Sequence, residues 1–190
     1  MKNSIIITGA GGQGTLLAAK IIGTAAMIKG WDVKASEAHG MSQRGGSVTT
    51  YVKYSADKVY SQVVTINADI VLAFELLEGY RASQFLKKGG LIITSTQTID
   101  PMPVIAGFTE YPENIQDKYK ASGVNALCVD ALSLAEKAGS QKCANVVLIG
   151  ALAARTKDIA KDIWLEALNE TAPADLLKVN INAFEIGYGL

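Results

Sequence analysis

Apolar residues near the start of the chain follow two different periods. Ile5-Ile6-Ile7 is an unbroken β-branched run that stops at Gly9, the pattern of a strand covered on both faces. Over residues 15–29, Leu16, Leu17, Ile21, Ala25 and Ile28 recur at spacings of three and four and form one helical stripe. Gly30 stands where a helix C-cap is expected, and residues 31–35 predict a second strand. Strand, glycine turn, helix and strand within about thirty residues predict a right-handed βαβ unit.

Residues 37–46 have no apolar period and contain Gly40, Gly45 and Gly46, which predicts a loop. From 47 to 54 the period is two, with Val48, Thr50, Val52 and Tyr54 on one side, so a strand is expected, and 59–64 suits a hairpin partner. Apolar runs at 70–74 and 91–94 predict buried strands around a helix at 76–86. Lys87-Lys88-Gly89-Gly90 closes that helix with cations at its negative end. Beyond the irregular stretch through Pro101, Pro103, Gly107 and Pro112, the pattern predicts a helix at 113–121, a strand at 126–129 and a short helix at 133–137. Three helices follow from 143 to 188, broken near Thr156 and at Ala172-Pro173. The most apolar of these stretches, 144–154, carries Asn145 and falls short of the roughly 20 residues that cross a bilayer, so it reads as a buried helix. With no repeat and no linker, residues 1–190 read as one α/β domain, its mostly parallel sheet followed by a C-terminal helical segment.

Composition narrows the chemistry. The 190 residues are 49% hydrophobic and 19% charged, enough to fill a core. Lys+Arg and Asp+Glu balance at 18 each, so no general attraction to nucleic acid or an anionic membrane is expected. Cys128 and Cys143 form no CxxC pair and His39 is the single histidine, which leaves too few ligands for an iron–sulfur cluster, a structural zinc or a multi-histidine site. Two unpatterned cysteines suit a reducing compartment, and the first apolar run is too short for a signal-peptide core, so a cytoplasmic protein is expected.

Two constellations carry candidate chemistry. Gly9-Ala10-Gly11-Gly12-Gln13-Gly14 is a GxGxxG placed between a strand and a helix, where a dinucleotide site would use Gly9 for the turn, Gly11 for close approach to a pyrophosphate and Gly14 for helix packing. Glu37, 23 residues past Gly14, is the acid available for a ribose. The same glycines equally serve a chain that only turns tightly at the top of a sheet, and Gln13 equally suits a bond to a partner or to a facing loop. The second constellation runs from Ser36 to Ser47 and holds Glu37, His39, Gln43, Arg44, Gly45 and Gly46. Arg44 beside two glycines suits a carboxylate or phosphate gripped by a planar fork and backbone N–H groups, or else a surface pair with Glu37. His39 suits proton transfer near neutral pH or a structural role at an interface. Glu75 and Glu78 suit the first turn of a helix, with a site role open to Glu75. Cys128 reads as buried and inert.

Gly9-x-Gly11-Gly12-Gln13-Gly14 followed by Glu37-x-His39-Gly40-Met41-x-Gln43-Arg44-Gly45-Gly46-Ser47-Val48 resembles the gamma-type domain of the 2-oxoacid:ferredoxin oxidoreductases. The His-Gly-Met-x-Gln-Arg-Gly-Gly form is most similar to the indolepyruvate branch. Pyruvate and 2-oxoglutarate members more often carry a Tyr-Gly-Pro-Glu-type segment there. Ala68-Asp69, Glu75 and Glu78-x-x-Arg81 also match that family pattern, and the resemblance is strongest over residues 5–95. It implies a Rossmann-like three-layer fold. It also implies a complex that decarboxylates an arylpyruvate on thiamine diphosphate, passes two electrons through iron–sulfur clusters to ferredoxin and releases an aryl-acetyl-CoA.

In that setting thiamine diphosphate, magnesium and the clusters belong to a large alpha subunit, CoA is a substrate of the complex, and this chain is a subunit inactive in isolation, alone or as a homodimer. Gly9, Gly11, Gly12, Gln13 and Gly14 become a loop facing the cofactor or active site. Glu37, His39, Gln43, Arg44, Gly45 and Gly46 become a second loop at the active site or at the interface. No catalytic residue and no metal ligand is assigned to this chain. The competing expectations are a gamma subunit for pyruvate or 2-oxoglutarate, a free-standing NAD(P)-binding oxidoreductase using GxGxxG and Glu37, and a small-ligand sensor or interaction module. Exposed apolar surface on the chain is a further expectation of the subunit reading.

Overall fold

Strands β1 (Lys2–Ala10), β2 (Asp32–His39), β3 (Ser47–Ser55), β4 (Ala68–Ala73), β5 (Leu86–Ser95) and β6 (Asn125–Val129) form one sheet in the order β2-β3-β1-β4-β5-β6. The computed structural model describes residues 2–39, 46–60 and 67–190. Only β3 runs against the others: it pairs antiparallel with both β1 and β2, whereas β1, β4, β5 and β6 are parallel. The sheet is therefore mostly parallel, as expected. The predicted βαβ unit is split, because β1 and β2 share a direction but β3 lies between them. Alternating Val48, Thr50, Val52 and Tyr54 had marked 47–54 as a strand, and the ladder from Lys2↔Ser55 to Ala10↔Ser47 is what seats it against β1.

Each central strand feeds two layers because successive side chains point to opposite faces. Ile5 and Ile7 of β1 and Leu72 of β4 enter one core with helices α1 (Thr15–Ile28), α5 (Ala131–Ala138), α6 (Ala144–Arg155), α7 (Lys161–Thr171) and α8 (Leu177–Tyr188). Ile6, Val71 and Ile92 enter the other with α2 (Leu76–Ala82) and α4 (Ile115–Ala121). The layers are helices, sheet, helices. A four-residue helix, α3 (Met102–Ile105), interrupts the irregular stretch after β5. The three C-terminal helices break at Thr156 and Ala172-Pro173, where the sequence placed the breaks.

Four local expectations are corrected. Residues 37–39, assigned to a loop, extend β2, because a backbone ladder to Thr50, Thr49 and Val48 on β3 takes up their polar main chain. Val59 and Tyr60 are not a strand: Val59 is buried and donates its N–H to the Asp32 carboxylate instead, while 61–64 lie outside the described residues. The helix at 76–86 ends at Ala82 and continues as a 3-10 turn, Ser83–Phe85. Lys87-Lys88-Gly89-Gly90 belongs to β5, where Lys87 pairs with Asp69, whose other carboxylate oxygen accepts the Ser4 N–H at 2.7 Å. This ion pair holds Lys87 beside β4 in extended chain, which a helix terminus could not do.

Helices α6 and α8 touch backbone to backbone at two glycines. A Cβ added at Gly187 would lie 1.9 Å from the Val147 carbonyl oxygen, and one at Gly150 would lie 2.2 Å from that of Phe184. Gly187→Ala is expected to cost roughly 3 kcal/mol or more, since only backbone separation relieves the clash. Gly30→Ala, at a φ of +82 with nothing within 4 Å, should cost about 1 kcal/mol. Urea unfolding of the two variants checks the ranking, and equal losses would contradict the close helix contact.

Burial pushes the Tyr54, Tyr111 and Tyr119 phenols up from their ordinary value of 10.0, aided at Tyr111 by its bond to the Glu75 carboxylate. A phenol raised in the folded chain favours folding below pH 10.0 and loses that contribution as pH rises through its folded value. Stability should therefore fall above pH 10, by about 1.4 kcal/mol per pH unit for each phenol ionised only in the unfolded chain. Absorbance at 295 nm (roughly where tyrosinate absorbs) followed together with circular dichroism tests this. Titration of Tyr54 and Tyr119 near pH 10 in a folded chain would contradict it.

Candidate functional site at the carboxyl edge of the sheet

Chain leaving β1 turns into α1 on one face, and chain leaving β4 turns into α2 on the other. Between the carboxyl ends of these adjacent parallel strands lies the crevice where open α/β sheets place their ligands. Here a side chain of the protein crosses it. Gln13 Oε1 accepts the Ala10 N–H at 2.7 Å, and Gln13 Nε2 donates to the Phe74 carbonyl at 3.0 Å and to Gln97 Oε1 at 3.1 Å. One carboxamide thus ties the ends of β1 and β4 to the segment after β5.

The glycines are explained by this bridge. A Cβ at Gly9 would sit 2.7 Å from Gln13 Oε1, and Gly14, at φ +83, precedes α1 in the left-handed region that favours glycine. A Cβ there would also lie 2.5 Å from Asn145 Nδ2 at the start of α6. Gly11 donates its N–H to the Gly46 carbonyl at 2.9 Å. The glycine turn and the end of the Arg-Gly-Gly segment, 35 positions apart in sequence, are therefore hydrogen-bonded neighbours, as the Ala10↔Ser47 register requires.

The dinucleotide expectation does not survive this geometry. Gln13 occupies the crevice, and Glu37 lies on β2, separated from β1 by the whole of β3, whereas a ribose acid needs the neighbouring strand. Backbone pairing places Glu37 opposite Thr50 and His39 opposite Val48. Gln43, Arg44 and Gly45 lie outside the described residues.

Glu75 and Glu78 are both buried and both engaged. Glu75 caps α2: its Oε2 accepts the Glu78 N–H at 2.7 Å, and its Oε1 accepts from Tyr111 Oη at 2.5 Å and from the Ile99 N–H at 3.2 Å. Glu78 accepts Ser47 Oγ at 2.5 Å and Arg81 Nη1 at 2.7 Å. Ser47 ends the second motif, so Glu78 anchors that motif to α2. Cys128 is half-buried rather than buried, and burial pushes its thiol up, as it does for Cys143.

Beside Gln13 opens a cleft of about 440 Å³ lined by Gly12, Gln13, Phe74, Ser95, Gln97, Leu132, Gln141, Lys142, Ala144, Asn145 and Leu148. Sequence reading missed Ser95, Gln97 and Lys142, and placed Asn145 in a buried helix without a role. The available signal was Asn145 itself, a polar residue opening the most apolar helix of the chain. Among the described residues no cluster of three His, Cys, Asp or Glu is placed to hold a metal ion, and no helix is long and apolar enough to cross a membrane.

Gln13→Met keeps the side-chain volume but removes both polar ends, leaving the Ala10 N–H and Phe74 carbonyl to find other partners. A loss of about 1–3 kcal/mol in urea unfolding is expected. A change below about 0.5 kcal/mol would show that water replaces the bridge.

Comparison with known proteins agrees with this architecture. The family model for pyruvate ferredoxin/flavodoxin oxidoreductase matches residues 4–190. The indolepyruvate oxidoreductase subunit IorB of Thermococcus kodakarensis is 39% identical over 97% of this chain and 93% of its own length, and its counterpart in Archaeoglobus fulgidus is 36% identical over 99% and 94%. The gamma subunit of a keto/oxoacid ferredoxin oxidoreductase from Geobacter sulfurreducens has the same fold, with a TM-score of 0.73 at 24% identity over 98% of this chain and 96% of that one. A 2-oxoglutarate:ferredoxin oxidoreductase chain from Magnetococcus marinus contains the fold as 30% of its length, at a TM-score of 0.75 and 23% identity. From β1 to α8, the chain belongs to the pyruvate ferredoxin/flavodoxin oxidoreductase family.

Proposed function

We propose that this chain is the small (beta) subunit of an indolepyruvate, or arylpyruvate, ferredoxin oxidoreductase, which converts a 2-oxoacid and CoA to acyl-CoA. The observation that carries the reading is the near full-length identity of 36–39% to proteins named as indolepyruvate oxidoreductase subunits. Relatives named as pyruvate/ketoisovalerate common gamma subunits stand further away, at 27% for the one from Thermococcus litoralis.

In this reading the large alpha subunit holds thiamine diphosphate, magnesium and the iron–sulfur clusters and passes electrons to ferredoxin. Two cysteines and one histidine in this chain are too few for that work. The chain's own residues complete and shield the reaction site. The glycine turn from Gly9 to Gly14 is hydrogen-bonded through Gly11 to Gly46; in this reading that turn and the segment carrying Glu37, His39, Gln43, Arg44, Gly45 and Gly46 face the CoA or active-site side of the assembly. Arg44 is the candidate for a direct grip on the carboxylate or phosphate of a substrate. Docking to the partner is supported by Met102, Ile105 and Phe108, which are exposed at 55%, 64% and 86% on one short segment after β5. A monomeric chain gains nothing from three large apolar side chains in water there.

Reconstitution with the large subunit tests both parts. Ile105→Glu with Phe108→Glu should leave the folded chain intact and weaken co-purification about tenfold or more. Arg44→Ala should assemble normally and lower kcat/KM for CoA or for indolepyruvate by about tenfold or more. An Arg44→Ala complex with unchanged kinetics for both substrates would remove Arg44 from the site. Equal turnover of pyruvate and indolepyruvate by the parent complex would argue for a general gamma role instead.

A further inference from the structure

Residues 99–111 leave the body of the protein and return to the same carboxylate. Glu75 Oε1 accepts the Ile99 N–H at 3.2 Å and the Tyr111 hydroxyl at 2.5 Å, so one buried side chain fixes both ends of the excursion. Between these anchors the backbone closes on itself. The N–H groups of Val104, Ile105, Ala106, Gly107 and Phe108 all donate to carbonyls of residues 101–104. Main chain that is already paired can leave water at little cost, and Pro101 and Pro103 further limit the freedom left to lose on docking.

At the tip, Met102, Ile105 and Phe108 belong to neither hydrophobic core and stand in water. The charge around them is one-sided in a chain that is balanced overall: residues 89–117 contain no Lys or Arg. Asp100, Glu110 and Glu113 are exposed there and form no ion pair among the described residues. This combination selects an occupant. Anionic lipid headgroups repel carboxylates, and apolar segments that enter such surfaces carry Lys or Arg instead. A second copy of the segment would set like charges against each other. An apolar protein surface rimmed by Lys or Arg answers both features, the tip by burial and the rim by attraction.

We propose that residues 99–111 form a preorganised plug for an apolar socket with a cationic rim on the large subunit. The inference rests on the subunit reading and adds to it the chemistry of the partner's surface. The two features of the plug act on different steps. Attraction between the acidic flanks and the rim speeds encounter and changes the bound complex little. Met102, Ile105 and Phe108, once buried in the socket, set how slowly the partners separate.

The test measures association and dissociation of the full chain with the separately purified large subunit by surface plasmon resonance at two salt concentrations. Asp100→Asn with Glu110→Gln and Glu113→Gln should slow association about tenfold at about 0.01 M salt, where charges act over ~30 Å, and leave dissociation within about twofold of the parent. At about 1 M salt the difference in association should vanish. Ile105→Ala with Phe108→Ala should associate at close to the parent rate and dissociate about tenfold faster or more. All five positions are exposed, so the variants should keep the circular dichroism spectrum of the parent. Sedimentation of the parent chain with vesicles of phosphatidylcholine and phosphatidylserine, or a dimer of the parent that the Ile105→Ala and Phe108→Ala chain loses, would give the segment another occupant and overturn the assignment. A parent chain that does not bind the large subunit would overturn the subunit reading and this inference together. A tight parent complex whose association ignores the three carboxylates would overturn this inference and leave the subunit reading standing.

Discussion

The Gln13 carboxamide is the contact on which the functional edge of this protein depends. It closes the crevice between β1 and β4, where a bare glycine turn would leave an open slot, and joins the strand ends to the segment after β5. Both of its ends meet backbone groups that have no choice of role, so its direction is set and passes on to Gln97 and Ser95. Gly9 and Gly14 belong to the same device, the first giving Gln13 room and the second letting the start of α1 approach Asn145.

Around that edge structural contacts stand where a dinucleotide fold would place its ligand. Inserting β3 between β1 and β2 moves Glu37 away from the crevice, and it also brings Ser47 and Gly46 next to the glycine turn. The glycine turn thereby neighbours the end of the second motif at Gly46 and Ser47, and Glu78 holds Ser47 through its Oγ. Glu75 performs a similar service for the segment after β5, holding Ile99 and Tyr111 at the cap of α2. These buried carboxylates have hydrogen-bond partners on several elements, which is how a buried anion remains tolerable.

Period and chemistry were legible locally. The β-branched run at Ile5-Ile6-Ile7, the three- and four-residue spacing of α1, the alternation in β3 and the three C-terminal helices with their breaks could all be read from neighbouring residues. Errors arose where a distant group took over. Lys87 was read as a helix terminus because nothing nearby in sequence reveals Asp69 as its partner. Residues 37–39 were read as loop because their polarity is answered by a ladder to β3, which comes later in the chain. Gln13 was recognised as unusual, but its partners lie 61 and 84 positions away.

By itself, then, the sequence determined the class of the fold, the two glycine motifs and the family they resemble, because periodicity and short motifs are encoded within a few turns of chain. It also determined that this chain's two cysteines cannot supply a four-cysteine cluster. Tertiary structure alone decided the strand order, the loss of Glu37 as a ribose ligand and the joining of the glycine turn to the second motif. Tertiary structure likewise gathered Ser95, Gln97, Lys142 and Asn145 around one cleft. Each of these depends on which atoms of remote segments meet and in which direction their donors point. That information exists only after the sheet has been assembled.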